Sequence, residues 1–272
     1  MKLSVSNIAW SPENDLKAFA LLQRLGVEWI ELAPSRIAAW DSLTSAEART
    51  YRAMLTDHGL QVSSLQAIYF GTSGMALLKS EEEFIALRDH TVKVAELADI
   101  LGCRPGVWGA PGLKLRDNMP INDANELAAN RLQQIGQAMA HTEFVLALEP
   151  VPPYYGADYL ISAEDILDMV TRVDHLNIGL HLDVACVELG GGDIAKDIEK
   201  AGAERIHHFH IAEKDLGDFA NPERNHAKAA KALHNIGYTG ALAIEMKANS
   251  DDWAQRIEDA VDFSCKTYGP FR

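Results

Sequence analysis

Short apolar segments of strand length alternate along this chain with longer segments of helical periodicity, and the alternation repeats eight times. The predicted strands are residues 3–8, 27–32, 60–66, 105–108, 144–149, 176–183, 205–211 and 241–245. An unbroken series of strand–helix units is typical of a parallel sheet with right-handed crossover connections. Eight units are the number that closes such a sheet into a barrel.

Capping signals mark the starts of the predicted helices. Thr44 with Glu47, and Ser80 with Glu83, fit the capping box that begins an α-helix. No Gly-x-Gly-x-x-Gly loop follows the first strand, and no linker or low-complexity segment divides the chain. We therefore predict an α/β protein that forms a single (β/α)8 TIM-barrel domain over residues 1–272.

Charge, cysteine content and the length of apolar runs limit the binding partners and the cellular compartment to be expected. The formal net charge of −14 disfavours binding to nucleic acid or to anionic membranes. Cys103, Cys186 and Cys265 form no Cys-x-x-Cys pair, which fits a reducing compartment. No apolar run resembles a signal peptide or reaches the ~20 residues of a membrane span. We expect a cytoplasmic protein without a membrane partner; a homo-oligomer is left open by the sequence.

Ionisable residues stand at the carboxyl ends of the last four predicted strands. Glu149, Asp183, His210 and Glu245 follow one another at spacings of 34, 27 and 35 residues, each about one strand–helix unit. Active sites of such barrels lie at the carboxyl ends of the strands. Three carboxylates and an imidazole at one point need a cation, and oxygen and nitrogen ligands suit Mn²⁺, Co²⁺, Mg²⁺, Zn²⁺ or Fe²⁺.

A single acidic residue or histidine at a strand end is more often a loop residue or a hydrogen-bonding cap. Spacing alone therefore leaves a metal site and this ordinary interpretation both open. Because side chains alternate between the two faces of a strand, His181 and His208 are predicted to point inward with Asp183 and His210. These two histidines either contact substrate or fill the barrel, whereas His207 does not fit the alternation.

Four short motifs carry a resemblance to a known family. They are Leu-Ala-Leu-Glu-Pro at 146–150, His-Leu-Asp at 181–183, His-Phe-His-Ile at 208–211 and Ala-Ile-Glu at 243–245. With these motifs the chain resembles the xylose isomerase-like TIM barrel superfamily of the sugar phosphate isomerase/epimerase and AP endonuclease family 2 type. That superfamily includes ketose 3-epimerases, inosose isomerases and dehydratases, hydroxypyruvate isomerase and endonuclease IV.

The resemblance implies one divalent metal ion held by Glu149, Asp183, His210 and Glu245. It also implies an isomerase or epimerase that acts on a keto-sugar, sugar phosphate or inosose through an enediolate, with Glu149 and Glu245 as catalytic acid and base. The substrate is thus a small polyhydroxy carbonyl compound. Residues expected to bind it are Glu31, Trp108, His181, His208 and Lys214.

Two departures bear on the substrate. Many ketose epimerases have a histidine three residues after the metal-binding aspartate, where this chain has Cys186. Many also have an arginine after the seventh strand, a position that Lys214 takes here. Tyr154 and Tyr155, after the fifth strand, either cover the site or pack in a turn.

Alternatives to an isomerase remain at this stage. A metal-dependent dehydratase would use the same ligands and the same proton abstraction, and then expel a β-hydroxyl group. A non-catalytic sugar-binding barrel is a second alternative, although it has no need for two opposed carboxylates on a metal. The DNA-repair branch is disfavoured by the acidic charge and by Trp108, where the fourth strand offers no histidine.

Overall fold

A computed structural model describes residues 1–248 and 252–269. Its eight parallel strands form a closed barrel in chain order, with β8 pairing with β1. The strands are β1 (Lys2–Ser6), β2 (Trp29–Leu32), β3 (Gln61–Leu65), β4 (Pro105–Trp108), β5 (Val145–Leu148), β6 (Ile178–Asp183), β7 (Ile206–Ala212) and β8 (Ala241–Glu245). The predicted (β/α)8 TIM barrel is confirmed, whereas the predicted domain end at residue 272 lies outside the described residues.

Helices connect the strands and pack around the barrel. They are α1 (Asp15–Arg24), α2 (Ser45–Asp57), α3 (Glu81–Leu101), α4 (Ile121–Ala138), α5 (Ala163–Val173), α6 (Val184–Leu189), α7 (Ile194–Ala201), α8 (His226–Asn235) and α9 (Trp253–Tyr268). Both predicted capping boxes are confirmed, at Thr44 for α2 and at Ser80 for α3. None of the helices in the described parts of the chain is long and apolar enough to cross a membrane.

The short helix α6 was not predicted from the sequence. It begins directly after β6, and Asp183 caps it by accepting a hydrogen bond of 2.6 Å from the backbone N–H of Cys186. A helix of six residues shows too little periodicity for a sequence pattern to reveal it. The hydrogen bond at the start of α6 fixes the position of one carboxylate oxygen of Asp183.

Two pairs of neighbouring strands in the barrel contain a one-residue β-bulge. Each bulge lies next to a residue of the polar barrel interior. Between β6 and β7 the pairing passes from Leu180–Ile206 to His181–His208, so His207 has no partner in the register. This extra residue explains why His207 does not fit the alternation. Between β2 and β3 the extra residue is Ser63. Bulges of this kind redirect the side chains that follow them.

Apolar side chains fill the layer between strands and helices, while the inside of the barrel is unusually polar. The interior is lined by residues that are almost completely buried, namely Ser4, Ser64, Glu31, His181, His208 and His210. Phe209 and Ile211, which alternate with the histidines of β7, belong to the apolar core instead. Buried polar groups must find hydrogen-bond partners, so the interior is held together by a specific network.

Candidate metal centre and active site

The carboxyl ends of the strands surround a cavity of about 1120 Å³, which we call the barrel mouth. Glu149, Asp183 and Glu245 line it, and each stands at or directly after the end of its strand. His210 is buried beside them, with its Nδ1 atom 3.2 Å from Glu245 Oε2 and 3.8 Å from Asp183 Oδ2. The four side chains that strand spacing had grouped therefore converge at one place.

The two ring nitrogens of His210 face different groups. Its Nε2 atom donates a hydrogen bond of 3.2 Å to Glu31 Oε2. Its Nδ1 atom is buried and faces the carboxylates of Asp183 and Glu245, both of which lie within ion-pair distance. A buried imidazole nitrogen among carboxylate oxygens is a donor set that fits a divalent cation.

Glu149 depends on Gly109 for its position. The carboxylate of Glu149 lies against the Cα of Gly109, and a Cβ atom at residue 109 would overlap Glu149 Oε2. Glycine at this point, directly after β4, therefore leaves the space into which the carboxylate turns. Gly112, in the same loop, has open space around it and is under no such constraint.

The mouth is strongly unfavourable for negative charge. Burial, together with Asp183 and Glu245, raises the pKa of Glu149 to about 8. Burial and Glu245 raise the pKa of Asp183 to about 6. Burial disfavours charge on His210, but Glu31 and Glu245 outweigh it and hold the pKa of the imidazole well above its usual value. Positive charge is thus what this group of residues lacks, and a divalent ion would supply it.

One lysine near the mouth was missed by sequence reasoning. Lys114 is almost completely buried, and its Nζ donates hydrogen bonds to the backbone oxygens of Trp108 (3.1 Å) and Glu149 (2.9 Å). It therefore ties the end of β4 to the end of β5. Burial lowers the pKa of Lys114 to about 8, although the charge of Glu149 opposes this. The sequence signal is weak, since a lysine between two leucines ordinarily points to solvent.

His181 offers a further ligand atom. Glu149, His181, Asp183 and His210 each offer a ligand atom, and these four atoms lie within 4.8 Å of one another. His181 Nε2 is 3.7 Å from Glu149 Oε1, and neither ring nitrogen has a hydrogen-bond partner. Burial and the neighbouring histidines hold its pKa well below the usual value, so the ring is neutral and able to ligate.

The residues expected to bind substrate lie in several different places. Glu31, Trp108 and His208 are completely buried and do not line the mouth. Lys214 is exposed and lies over the ring of Tyr154, with Nζ 4.6 Å from the ring centre. Lys214 is likewise absent from the lining of the mouth.

Other residues take the positions that face a ligand. Tyr155 lines the mouth, and its hydroxyl accepts a hydrogen bond of 2.8 Å from the backbone N–H of Asp215. Cys186 lines it as well, beside Asp183. The loop after β3 contributes Gln66 and Phe70, and the Phe70 side chain is 70% exposed. A loop without periodicity gives no sequence signal for such a role.

A comparison with protein families assigns the chain as a whole. The family described as xylose isomerase-like TIM barrel matches residues 19–267. This chain belongs to that family. The membership agrees with the closed barrel and with the resemblance carried by the four strand-end motifs.

Two named relatives are distant in sequence, but each alignment covers most of this chain. An L-ribulose 3-epimerase from Methylomonas sp. (strain DH-1) is 26% identical over 242 residues, which is 87% of this chain and 79% of that protein. A 3-dehydro-D-guloside 4-epimerase from Escherichia coli (strain K12) is 22% identical over 275 residues, which is 96% of this chain and 98% of that protein.

A solved structure agrees with this chain in fold. A D-psicose 3-epimerase from Clostridium cellulolyticum H10, determined with D-tagatose, superposes with a TM-score of 0.82. The superposition covers 98% of this chain and 99% of that one, at 16% sequence identity. At this identity the likeness establishes the shared barrel fold and nothing finer.

Replacing Gly109 should disturb the centre without disturbing the barrel. In Gly109→Ala the added methyl group displaces the Glu149 carboxylate, so we expect metal affinity to fall by about tenfold or more. The matched control, Gly112→Ala, should bind metal like the wild type because its Cβ meets nothing. Zn²⁺ dissociation constants from chelator competition compare the two variants. Equal affinities in both would show that Gly109 does not set the position of Glu149.

The pKa of Glu149 predicts how the metal-free chain responds to pH. A carboxyl group whose folded-state pKa is raised from 4.5 to about 8 contributes stability that is complete at low pH and is lost as the pH rises towards 8. Relative to Glu149→Gln, the wild type in chelator should therefore lose melting temperature between about pH 5 and about pH 8. Calorimetry measures both profiles, and parallel profiles would contradict the raised pKa.

Proposed function

We propose that this protein is a divalent-metal-dependent epimerase of keto-sugars, with the metal held by Glu149, Asp183, His210 and Glu245. The observation that carries the proposal is the buried His210 Nδ1 atom, which faces the carboxylates of Asp183 and Glu245 at the wall of a cavity large enough for a sugar. The metal set uses only oxygen and nitrogen donors, which suit Mn²⁺, Co²⁺, Mg²⁺, Zn²⁺ or Fe²⁺.

When bound, the metal acts as a Lewis acid that polarises a carbonyl oxygen and acidifies the neighbouring C–H group. The chain supplies the acid and the base. Glu149 follows β5 and Glu245 ends β8, so Asp183 and His210, on β6 and β7, lie between them in strand order. The two glutamates therefore approach a ligand from two sides. One removes a proton and the other returns one to the opposite face, which inverts the carbon.

The charges around the mouth bear on Glu149 as a base. Burial and the neighbouring carboxylates raise the pKa of the Glu149 carboxyl in the metal-free chain. A bound cation would oppose this effect and favour the ionised form, which is the form that accepts a proton. Lys114, fixed on the backbone oxygen of Glu149, restrains the end of β5 while the carboxylate works.

A keto-sugar is the substrate class that these features favour. The mouth presents the carboxylates of Glu149, Asp183 and Glu245, together with Gln66 and the ring of Tyr155, to a ligand. The relatives reported above are named as epimerases of L-ribulose and of a 3-dehydro-guloside. The names of these relatives favour epimerisation over dehydration. Dehydration would be recognised by its conjugated, ultraviolet-absorbing product.

Removing either glutamate should stop epimerisation. In Glu149→Gln and in Glu245→Gln we expect interconversion of the two epimers to fall by at least about a hundredfold, because inversion needs a proton-transferring group on each face of the carbon. Glu143→Gln, just before β5, is the matched control and should epimerise like the wild type. The assay is chromatographic separation of epimers of ketoses, ketose phosphates and 3-keto-glycosides, with mass spectrometry after incubation in D₂O.

Two results of this assay would contradict the proposal. Wild-type protein loaded with metal that exchanges no substrate proton in the panel would indicate a binding protein. Epimerisation that persists in both glutamine variants would place the acid and base elsewhere.

Metal removal gives a test that needs no substrate. We expect the purified protein to contain about one divalent ion per chain, to lose melting temperature in chelator and to regain it with Mn²⁺, Co²⁺ or Zn²⁺. Asp183→Asn should bind the ion more weakly, because a neutral amide oxygen replaces a charged ligand. Elemental analysis and calorimetry measure these effects. A metal-free chain that takes up none of these ions would refute the metal site.

A further inference from the structure

Glu31 occupies the middle of the polar barrel interior and is completely buried. Its Oε2 atom accepts hydrogen bonds from His208 Nε2 (2.7 Å), Ser64 Oγ (2.8 Å) and His210 Nε2 (3.2 Å). Every one of these contacts is to a buried group of the barrel itself. Glu31 therefore cannot reach a substrate in the mouth, and its carboxylate has another purpose.

We propose that Glu31 is the positioning residue of the metal centre, which fixes the His210 ring with Nδ1 directed at Asp183 and Glu245. A carboxylate only accepts hydrogen bonds, so each imidazole nitrogen beside it must carry a proton. Because Glu31 holds the proton on Nε2 of His210, Nδ1, which faces Asp183 and Glu245, is the ring nitrogen that can give up its proton and bind a metal ion. The inference rests on the proposed function, since it concerns the ligand atom offered to the metal.

The bulge at Ser63 contributes to this arrangement. Without an extra residue in β3, Ser63 would take the position opposite Glu31; with it, Ser64 does, and its hydroxyl donates to the carboxylate. The bulge between β6 and β7 similarly sets His208 beside His181 and His210 beside Asp183. Both irregularities thus place donors around one carboxylate, which supports a positioning role over simple filling of space.

A second metal ion among the histidines is the competing interpretation. Ring nitrogens of His181, His208 and His210 lie within 4.8 Å of one another and would suit an ion. The His208 Nε2 to Glu31 Oε2 distance of 2.7 Å is instead that of a charge-assisted N–H···O hydrogen bond. The geometry therefore favours protons, and not a second ion, between Glu31 and these rings.

The discriminating variant is Glu31→Gln, which keeps the shape and replaces one acceptor oxygen by an NH₂ donor. His210 Nε2 lies 3.1 Å from Oε1 and 3.2 Å from Oε2 of Glu31, so either orientation of the amide places its NH₂ group beside this nitrogen. The amide oxygen is also a weaker acceptor than a carboxylate, so the tautomer with the proton on Nδ1, which cannot bind the metal, gains population. We expect Zn²⁺ affinity to fall by about ten- to a hundredfold. Ser4→Ala is the matched control, because it removes a buried barrel hydroxyl that bonds Ser63 and does not touch Glu31.

Two measurements test the proposal. Chelator competition gives the Zn²⁺ dissociation constants of wild type, Glu31→Gln and Ser4→Ala. Long-range ¹H–¹⁵N correlation spectra of the zinc-bound wild type report which His210 nitrogen carries the proton. We expect His210 to carry its proton on Nε2 and to bind zinc through Nδ1. We also expect Zn²⁺ affinity to be lower in Glu31→Gln and unchanged in Ser4→Ala.

Several outcomes would overturn the proposal. Ligation through His210 Nε2, two zinc ions per wild-type chain, or equal affinity in Glu31→Gln and wild type would each do so. The spectrum of the wild type decides the matter even if Glu31→Gln does not fold. A wild-type chain that binds no zinc would refute the proposed metal site itself. Failure of the proposed function is therefore distinguishable from failure of the role assigned to Glu31.

Discussion

Buried negative charge at the barrel mouth is the constraint on which the rest of the site depends. Glu149, Asp183 and Glu245 stand at the carboxyl ends of three parallel strands. Because these strands end at the same rim of the barrel, the fold places the three carboxylates close together. Their repulsion must be balanced by a cation, by protons or by the neighbouring imidazole. This balance explains the raised pKa values of Glu149 and Asp183 and the raised pKa of His210.

The barrel interior next to the mouth is also lined by buried polar and ionisable side chains. TIM barrels are usually filled by branched apolar side chains, yet this one encloses Glu31 and three histidines. Such residues are costly to bury unless each is hydrogen-bonded. Glu31 meets that requirement for His208 and His210, whereas both nitrogens of His181 lack partners. The interior is therefore better explained by the centre it supports than by stability of the barrel.

Sequence reasoning predicted the barrel because eight repeats of one pattern are hard to produce in any other fold. It grouped Glu149, Asp183, His210 and Glu245 because adjacent parallel strands end at one rim, and the structure brings the four together. Their role as metal ligands stays a prediction. It did not find the role of Lys114 or of Glu31, because both depend on partners distant in the sequence. It did not find the helix α6, because six residues show too little periodicity. The bulge at Ser63 left no sequence signal, whereas the bulge at His207 appeared only as a residue that did not fit the alternation.

The bulge at His207 also bears on how this chain tolerates insertions and deletions. Both sides of the bulge pair with β6, Ile206 with Leu180 before it and His208 with His181 after it. Loss of residue 207 would join Ile206 to His208 in a regular ladder and leave His208 and His210 facing inward. Loss of a residue between His208 and His210 would turn one of them out of the barrel. The strand thus contains one position at which its length can change during evolution while the centre keeps its geometry.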